Sequence, residues 1–253
     1  MKPNANGHVL PSVTNTPGYR KVAEIIEGEI IRGNLKVGDL LPIESDLAAQ
    51  LGVNRSTIRE GIRALENSGL LRRVEAKRLV IAAPDATMVA RANSRAMGLN
   101  RVTFQELWEL QMELEPFAAQ LAAERINEDQ SCRLLATIRK LEDNLENDEA
   151  VIDHDIAFHN LIAEATGNRA LCLSAAPIGM LLFSATEDLY RNVPQARHRL
   201  LEAHKAIAGA IVRHDAQEAR RWMAKHIQDF RRGYEIGGLA MDAPIALDPR
   251  AFG

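Results

Sequence analysis

The chain has 253 residues and a net charge of −3, and 46% of its residues are hydrophobic while only 4% are aromatic. The length suits one small domain and one of ordinary size, and the many Ala and Leu residues at helical spacing exclude a large sheet. No run approaches the roughly 20 apolar residues of a membrane helix, and residues 1–16 lack the apolar core of a signal peptide, so we expect a cytoplasmic protein with no membrane partner.

The charge is divided unevenly along the chain. Residues 54–80 contain seven Arg or Lys and three Asp or Glu, a net charge of +4, whereas residues 101–160 contain five and fourteen, a net charge of −9. A basic segment attracts phosphates and an acidic one is kept away from them. The distribution therefore predicts that the N-terminal part contacts nucleic acid.

The N-terminal part has the pattern of a helix-turn-helix. Residues 1–18 lack periodicity and predict a flexible leader, and apolar residues at helical spacing predict a first helix from Arg20. A second helix over about 44–51 is stopped by Gly52, and a third begins near Arg55. Two helices joined by so short a glycine turn are typical of a helix-turn-helix.

A short hairpin is predicted to follow the third helix. The runs 70–74 and 78–81 are bounded by turn residues and can pair across three residues as a two-stranded wing. We therefore predict a winged helix-turn-helix domain over residues 19–83.

The outer face of the third helix carries the residue types that read DNA. Arg55, Ser56, Thr57 and Arg59 lie within its first turns. Bases in the major groove are read by Arg, Ser, Thr, Asn and Gln, and phosphates accept hydrogen bonds from Arg and hydroxyl groups. On a lone helix these residues would form an ordinary solvated face, but the preceding helix, the glycine turn and the wing favour DNA binding.

The runs 33–42, 46–48, 51–60 and 65–70 resemble the GntR family of bacterial regulators, and the resemblance covers the whole of residues 19–81. It implies that Arg55, Ser56 and Arg59 contact DNA. It also implies that the tip of the wing enters the minor groove through a glycine-containing turn.

The chain departs from the family pattern at two places. Residues 75–78 contain no glycine, which leaves Lys77 or Arg78 to reach a narrow minor groove. Many relatives carry an arginine where this chain has Ser45, so the contact predicted there is weaker than in the family.

After Pro84 the whole pattern is helical. We predict a linker helix within residues 84–100, an all-helical effector domain over residues 101–237 and a flexible tail over residues 238–253. The predicted helices cover about 85–98, 103–125, 129–147, 151–166, 170–190, 195–213 and 215–236.

One carboxylate and three imidazoles in this part could hold an ion. Asp155 and His159 lie one helical turn apart and share a face, while His204 and His226 lie on two later helices. Such a nitrogen and oxygen set suits zinc, with nickel, iron or manganese as alternatives. A single histidine beside an apolar stripe is more often a packed, hydrogen-bonded residue, and this interpretation stays open from the spacing alone.

The runs 155–168, 202–207 and 223–226 resemble the FCD domain, the helical effector domain of the FadR branch, over about residues 103–234. The resemblance implies an antiparallel bundle in which the matching Asp155, His159, His204 and His226 hold a metal at the floor of a pocket. The family commonly places an effector-clamping arginine where this chain has Gln111. Gln111 is either a plain polar helix residue or a sign that the protein recognises a less acidic or larger ligand or leaves recognition of charge to the metal.

The sequence as a whole predicts a mainly α protein that regulates transcription. We expect a homodimer on a palindromic double-stranded operator, most simply a repressor released by a small carboxylate-type metabolite. The alternative is a metal-dependent hydrolase with an accessory DNA-binding domain. A hydrolase needs a positioned general base beside the metal, and no HExxH motif is present, so we do not expect an enzyme.

Overall fold

A computed structural model describes residues 17–74 and 78–247, which divide into a unit ending at Met88 and a unit beginning at Val89. The described residues form ten α-helices and one antiparallel pair of strands. In chain order the elements are α1 (Gly18–Ile31), α2 (Glu44–Leu51), α3 (Arg55–Asn67), β1 (Leu71–Arg73), β2 (Leu79–Ile81), α4 (Ala86–Leu99), α5 (Phe104–Arg125), α6 (Glu128–Asp143), α7 (Asp148–Ala165), α8 (Arg169–Asn192), α9 (Ala196–Val212) and α10 (Ala216–Ile236).

The first unit is a winged helix-turn-helix, as predicted. Its core is formed by the apolar face of α3, where Ile58 and Ile62 are fully buried, packed against α1, α2 and the wing. β1 pairs with β2 so that Leu71 faces Ile81, and residues 38–41 hydrogen-bond to β2 on its other side. The tip of the wing, including Lys77, lies outside the described residues.

The turn between α2 and α3 follows from two residues. Gly52 adopts a left-handed conformation with φ of 64° at the end of α2, which a residue without a side chain does at no steric cost. Two residues later the side chain of Asn54 accepts a hydrogen bond of 2.8 Å from the backbone N–H of Thr57 and so caps α3. These two local preferences fix the start of α3.

The second unit is an antiparallel helical bundle, as predicted. The long helix α5 packs against α7, α8, α9 and α10, and its Ala119, Ala122 and Ala123 are fully buried. Small side chains let neighbouring helices approach closely, and the large side chains of Phe158 and Ile207 fill the space between them. The bundle thereby brings together polar side chains from helices that are far apart in sequence.

α8 is long and apolar enough to cross a membrane by length and composition alone, with a mean hydropathy of 1.5 over an 18-residue window. The sequence prediction considered only uninterrupted apolar runs and therefore did not single it out. Leu181 and Leu189 of this helix are buried inside the unit, and the helix packs against α5 and α7. We therefore interpret α8 as a core helix of the bundle.

The sequence predicted a flexible tail, but the part of the tail that the structure describes, residues 238–247, forms backbone hydrogen bonds with the start of α5. The backbone N–H of Gln105 donates to the carbonyl of Met241 at 2.9 Å, and that of Ile245 donates to the carbonyl of Val102 at 2.8 Å. The first backbone N–H groups of a helix have no acceptor within the helix. Carbonyl groups of the tail accept the hydrogen bonds of those at the start of α5. Ile245 also buries its side chain beside Phe104. The Gly, Ala and Pro composition of the tail concealed this apolar anchor, which Leu239, Met241 and Leu247 supplement by packing against the same cluster.

Replacing Ile245 with alanine should therefore destabilise the second unit. Removing a buried branched side chain costs about 2 kcal/mol at the low end of the usual range, which lowers the melting temperature of a domain of this size by about 4–8 °C. Thermal unfolding followed by circular dichroism measures the change. Ile236→Ala is the matched control because Ile236 is 63% exposed, and equal shifts in the two variants would show that the tail contributes no stability.

Candidate nucleic-acid interface and metal centre

A surface groove in the first unit collects most of the residues predicted to bind DNA. Ser45 at the start of α2, Arg55 and Arg59 on α3, and Arg78 beside β2 all line this groove, whose volume is about 640 Å³. The groove also contains Arg73 from β1. Four arginines from three elements therefore share one surface.

Arg59 is held in place by Glu44 across the helix-turn-helix. Its Nη2 and Nε lie 2.9 and 3.2 Å from the same carboxylate oxygen of Glu44. The hydrogen bonds from Arg59 hold the pKa of Glu44 below its usual value. The guanidinium is thus positioned at the surface before any DNA is present.

The hydroxyl groups of Ser56 and Thr57 have local partners. Ser56 donates to the Asn54 side chain at 2.6 Å, and Thr57 donates to the same oxygen at 2.9 Å. Each hydroxyl has only one hydrogen to donate. A hydrogen bond from either hydroxyl to a phosphate would therefore replace its bond to the side chain that caps α3, whereas the guanidinium groups of Arg55 and Arg59 have several hydrogens to donate.

Arg73 was missed by the sequence analysis. It extends from β1 into the groove, and its Nε lies 2.8 Å from a carboxylate oxygen of Glu66 on α3. The sequence did contain a signal for such a residue. Arg72 and Arg73 are consecutive on a strand, so their side chains point to opposite faces of the wing, and one of the two must lie on the face toward α3. Which of the two does so depends on the register of the wing.

In the second unit, three helices bring together the predicted metal ligands. α7 provides Asp155 and His159, α9 provides His204 and α10 provides His226. Asp155 Oδ1 lies 3.1 Å from His204 Nε2 and 3.4 Å from His159 Nε2, and the Nε2 atoms of His159 and His226 are 3.3 Å apart. The four potential ligand atoms all lie within 4.8 Å of one another.

These separations suit a divalent ion. Metal bonds of about 2.0–2.1 Å in a tetrahedral arrangement place the ligand atoms about 3.3 Å apart. Both ring nitrogens of His204 and Oδ1 of Asp155 are buried without a well-formed hydrogen bond to any described residue. Buried polar atoms left unpaired are costly, and an ion would supply a partner for Nε2 of His204 and for Oδ1 of Asp155.

The electrostatics of the cluster are those of a strongly coupled site. Burial alone would raise the pKa of Asp155, but the imidazoles of His159 and His204 beside its carboxylate outweigh this effect and hold the pKa well below its usual range. Burial opposes protonation of all three histidines. At His159 the carboxylates of Glu115 and Asp155 outweigh this effect and raise the pKa of the ring to about 10. At His204 and His226 burial dominates and the pKa values stay below the usual value.

Glu115 is a second residue that the sequence analysis missed. It lies on α5, only 7% exposed, and its carboxylate contacts Nδ1 of His159. Its other oxygen accepts a hydrogen bond of 3.2 Å from the side-chain amide of Gln111. A weak signal existed, since Gln111 and Glu115 lie one turn apart on the same face of α5, but the contact of Glu115 with His159, 44 residues later in the chain, is tertiary.

A cavity of about 50 Å³ adjoins three of the four clustered residues, Asp155, His159 and His226. Gln111 and Glu115 of α5 line this cavity. Gly179 and Thr186 of α8 also line it. The potential ion site thus lies at the edge of a cavity.

Comparison with known proteins agrees with both halves of this description. Residues 18–81 match the family described as "Bacterial regulatory proteins, gntR family", and residues 106–229 match the FCD domain. The chain belongs to the GntR family. It is therefore a transcription regulator with a DNA-binding domain and an FCD effector domain, not an enzyme, and the alternative of a metal-dependent hydrolase is set aside.

Individual relatives cover most of the chain. The HTH-type transcriptional repressor NanR of Escherichia coli K12 is 26% identical over 82% of this chain and 82% of its own length. The Glc operon transcriptional activator of the same strain is 27% identical over 83% of this chain and 86% of its own length. A solved structure, Streptococcus agalactiae GntR, covers 85% of this chain and 99% of its own at 27% identity, with a TM-score of 0.59.

Proposed function

We propose that this GntR-family regulator binds a palindromic operator as a homodimer and is released from it by a small organic acid held beside a divalent metal. The convergence of four ligand atoms at the edge of a cavity in the effector domain carries the proposal. Residues 19–83 would bind DNA, residues 84–100 would link the domains and residues 101–237 would bind the effector. The protein would act in the cytoplasm.

Asp155, His159, His204 and His226 would hold the metal, which we propose is zinc, with nickel, iron or manganese as alternatives. When bound, the ion supplies a positive charge and a coordination position for the carboxylate of an acid. Glu115 would accept the Nδ1 proton of His159 and so orient this ring, because imidazole ligands are usually fixed by a hydrogen bond from their second nitrogen.

On the DNA side, Arg55 and Arg59 would read the major groove, and Arg78 with Lys77 would reach the minor groove. Ser45, Ser56 and Thr57 would add contacts to phosphates. One helix-turn-helix makes few contacts alone, and a two-fold dimer on a palindromic site is the common solution. The groove lined by Arg55, Arg59, Arg73 and Arg78, here called the arginine groove, supports the assignment of the first unit as the DNA-binding part.

The direction of regulation is also a proposal. One of the relatives is named a repressor and another an activator, and we propose repression for this chain. The effector would act by binding more tightly to the conformation that is not bound to DNA, since a ligand shifts an equilibrium only through such a difference in affinity.

Two measurements on the full chain, purified without a nickel resin, test the proposal. Elemental analysis should find one divalent ion per chain. Sedimentation of the protein with a duplex that carries its selected binding site should find two chains per duplex. A metal-free protein, or one chain per duplex at saturation, would contradict the corresponding part of the proposal.

A further inference from the structure

The cavity beside the proposed metal has an unusual charge inventory for a site that binds an acid. Among the described residues that line it, none is lysine or arginine, and two are carboxylates, Glu115 and Asp155. A divalent ion and the two carboxylates of Glu115 and Asp155 together have no net charge. A bound ligand with one carboxylate would therefore give the site a net charge of −1, and a ligand with two carboxylates would give it −2. Uncompensated charge in a buried site is costly, which disfavours ligands with two carboxylates.

Gln111 adds a polar atom that lacks a partner. The residue is 7% exposed, and its Oε1 is buried without a hydrogen bond to any described residue. Its amide nitrogen donates to Glu115 at 3.2 Å. The opposite amide orientation would place Oε1 against the carboxylate, where two acceptors repel, so Glu115 itself fixes which end of the amide remains available.

The wall formed by Gln111 and Glu115 therefore presents acceptors to the cavity, whereas an arginine in place of Gln111 would present donors. A buried acceptor is satisfied by a hydroxyl, an amide N–H or an ammonium group. Of these, an ammonium group also restores the charge balance. A cavity of about 50 Å³ has room for only a few water-sized groups, which favours a ligand of few heavy atoms.

From this geometry, and resting on the proposed function, we infer that the effector is a small monocarboxylic acid that presents a hydrogen-bond donor, preferably an ammonium group, to Gln111 beside Glu115. The carboxylate of the ligand would lie toward the metal and the donor toward α5. Gln111 is then the residue that determines specificity, and dicarboxylates are rejected.

Four acids with three carbon atoms test the inference at nearly constant size. Propionate has no donor, L-lactate adds a hydroxyl, L-alanine adds an ammonium group and malonate adds a second carboxylate. Calorimetric titration of the zinc-loaded full chain should find alanine tightest, lactate next and propionate at least tenfold weaker than alanine. Malonate should be weakest. A site built to bond a polar group discriminates strongly against analogues that lack it.

Gln111→Met keeps the length of the side chain and removes its strong acceptor. In this variant the advantage of alanine and lactate over propionate should fall to within about threefold, with zinc content unchanged. Gln105→Met is the matched control, because Gln105 donates to Glu109 one turn later on the same helix, at its exposed surface. The control should keep the wild-type order of affinities.

Elemental analysis before and after each titration distinguishes a failure of the proposed metal site from a failure of the inferred ligand class. Protein without bound metal would overturn the proposed function and, with it, the inference. If zinc is retained, the inference alone is overturned by malonate binding as tightly as alanine, by no binding of any of the four acids, or by a Gln111→Met variant that keeps the wild-type order.

Discussion

Arg59→Ala is expected to reduce affinity for the operator by about 30-fold or more while the protein stays folded. A side chain that reads a base or phosphate typically contributes at least several-fold per half-site, and a dimer loses it twice. Arg59 is exposed, and its pairing with Glu44 contributes little to stability in such a setting. Fluorescence anisotropy of a labelled operator at fixed salt concentration measures the change.

Arg32→Ala is the matched control for this experiment. Arg32 is also an exposed arginine paired with a glutamate, Glu29, but it lies outside the arginine groove. The two variants remove the same charge from the same unit, so a general electrostatic effect lowers affinity equally in both. Equal losses, or unchanged binding in Arg59→Ala, would contradict the assignment of α3 as the reading helix.

His204→Ala should abolish stoichiometric metal binding. His204 is fully buried and offers Nε2 to the cluster, so its loss leaves three ligands and an empty space. Substitution of a residue that only hydrogen-bonds to a metal ligand typically lowers metal affinity 10- to 100-fold. Substitution of a ligand itself should lower it by at least as much. We expect the metal content after dialysis to fall from about one ion per chain to nearly none.

Thermal unfolding with and without zinc provides a second readout for this variant. Free zinc at a hundredfold excess over its Kd stabilises the wild-type protein by about 2.7 kcal/mol, or about 5–10 °C for a domain of this size. His204→Ala should lose this zinc-dependent shift whatever its own melting temperature. His198→Ala, an exposed histidine on the same helix, should keep it. An unchanged shift in His204→Ala would refute the metal site.

Local sequence signals were sufficient for most of the helices. Asn54 and Gly52 define the turn between α2 and α3 by their own conformational preferences, and Thr103 with Glu106 forms a capping box at the start of α5. These effects act within four residues along the chain, so a linear pattern contains them. The same holds for Asp155 and His159, one turn apart on α7.

Contacts between distant segments were not predictable in this way. The pairing of Arg59 with Glu44 and the contact of Glu115 with His159 depend on how helices pack. Spacing alone also does not separate His204 from His214, whose ring nitrogen lies 2.8 Å from the carbonyl of Ala123 in an ordinary structural contact. Resemblance to the family, not periodicity, selected His204.

The docking of the tail onto the start of α5 has a consequence for synthesis on the ribosome. α1, α2, α3 and the wing find their partners within residues 18–81, so the first unit can fold while translation continues. α5 packs against α10 and receives the tail last. Roughly 110 residues follow α5 before α10 is complete, which takes about 5–20 s at usual elongation rates. Until then α5 lacks the partner with which it makes its most extensive contact, although α7, α8 and α9 are already available. We therefore expect the nascent effector domain to be the part of the chain that requires chaperones.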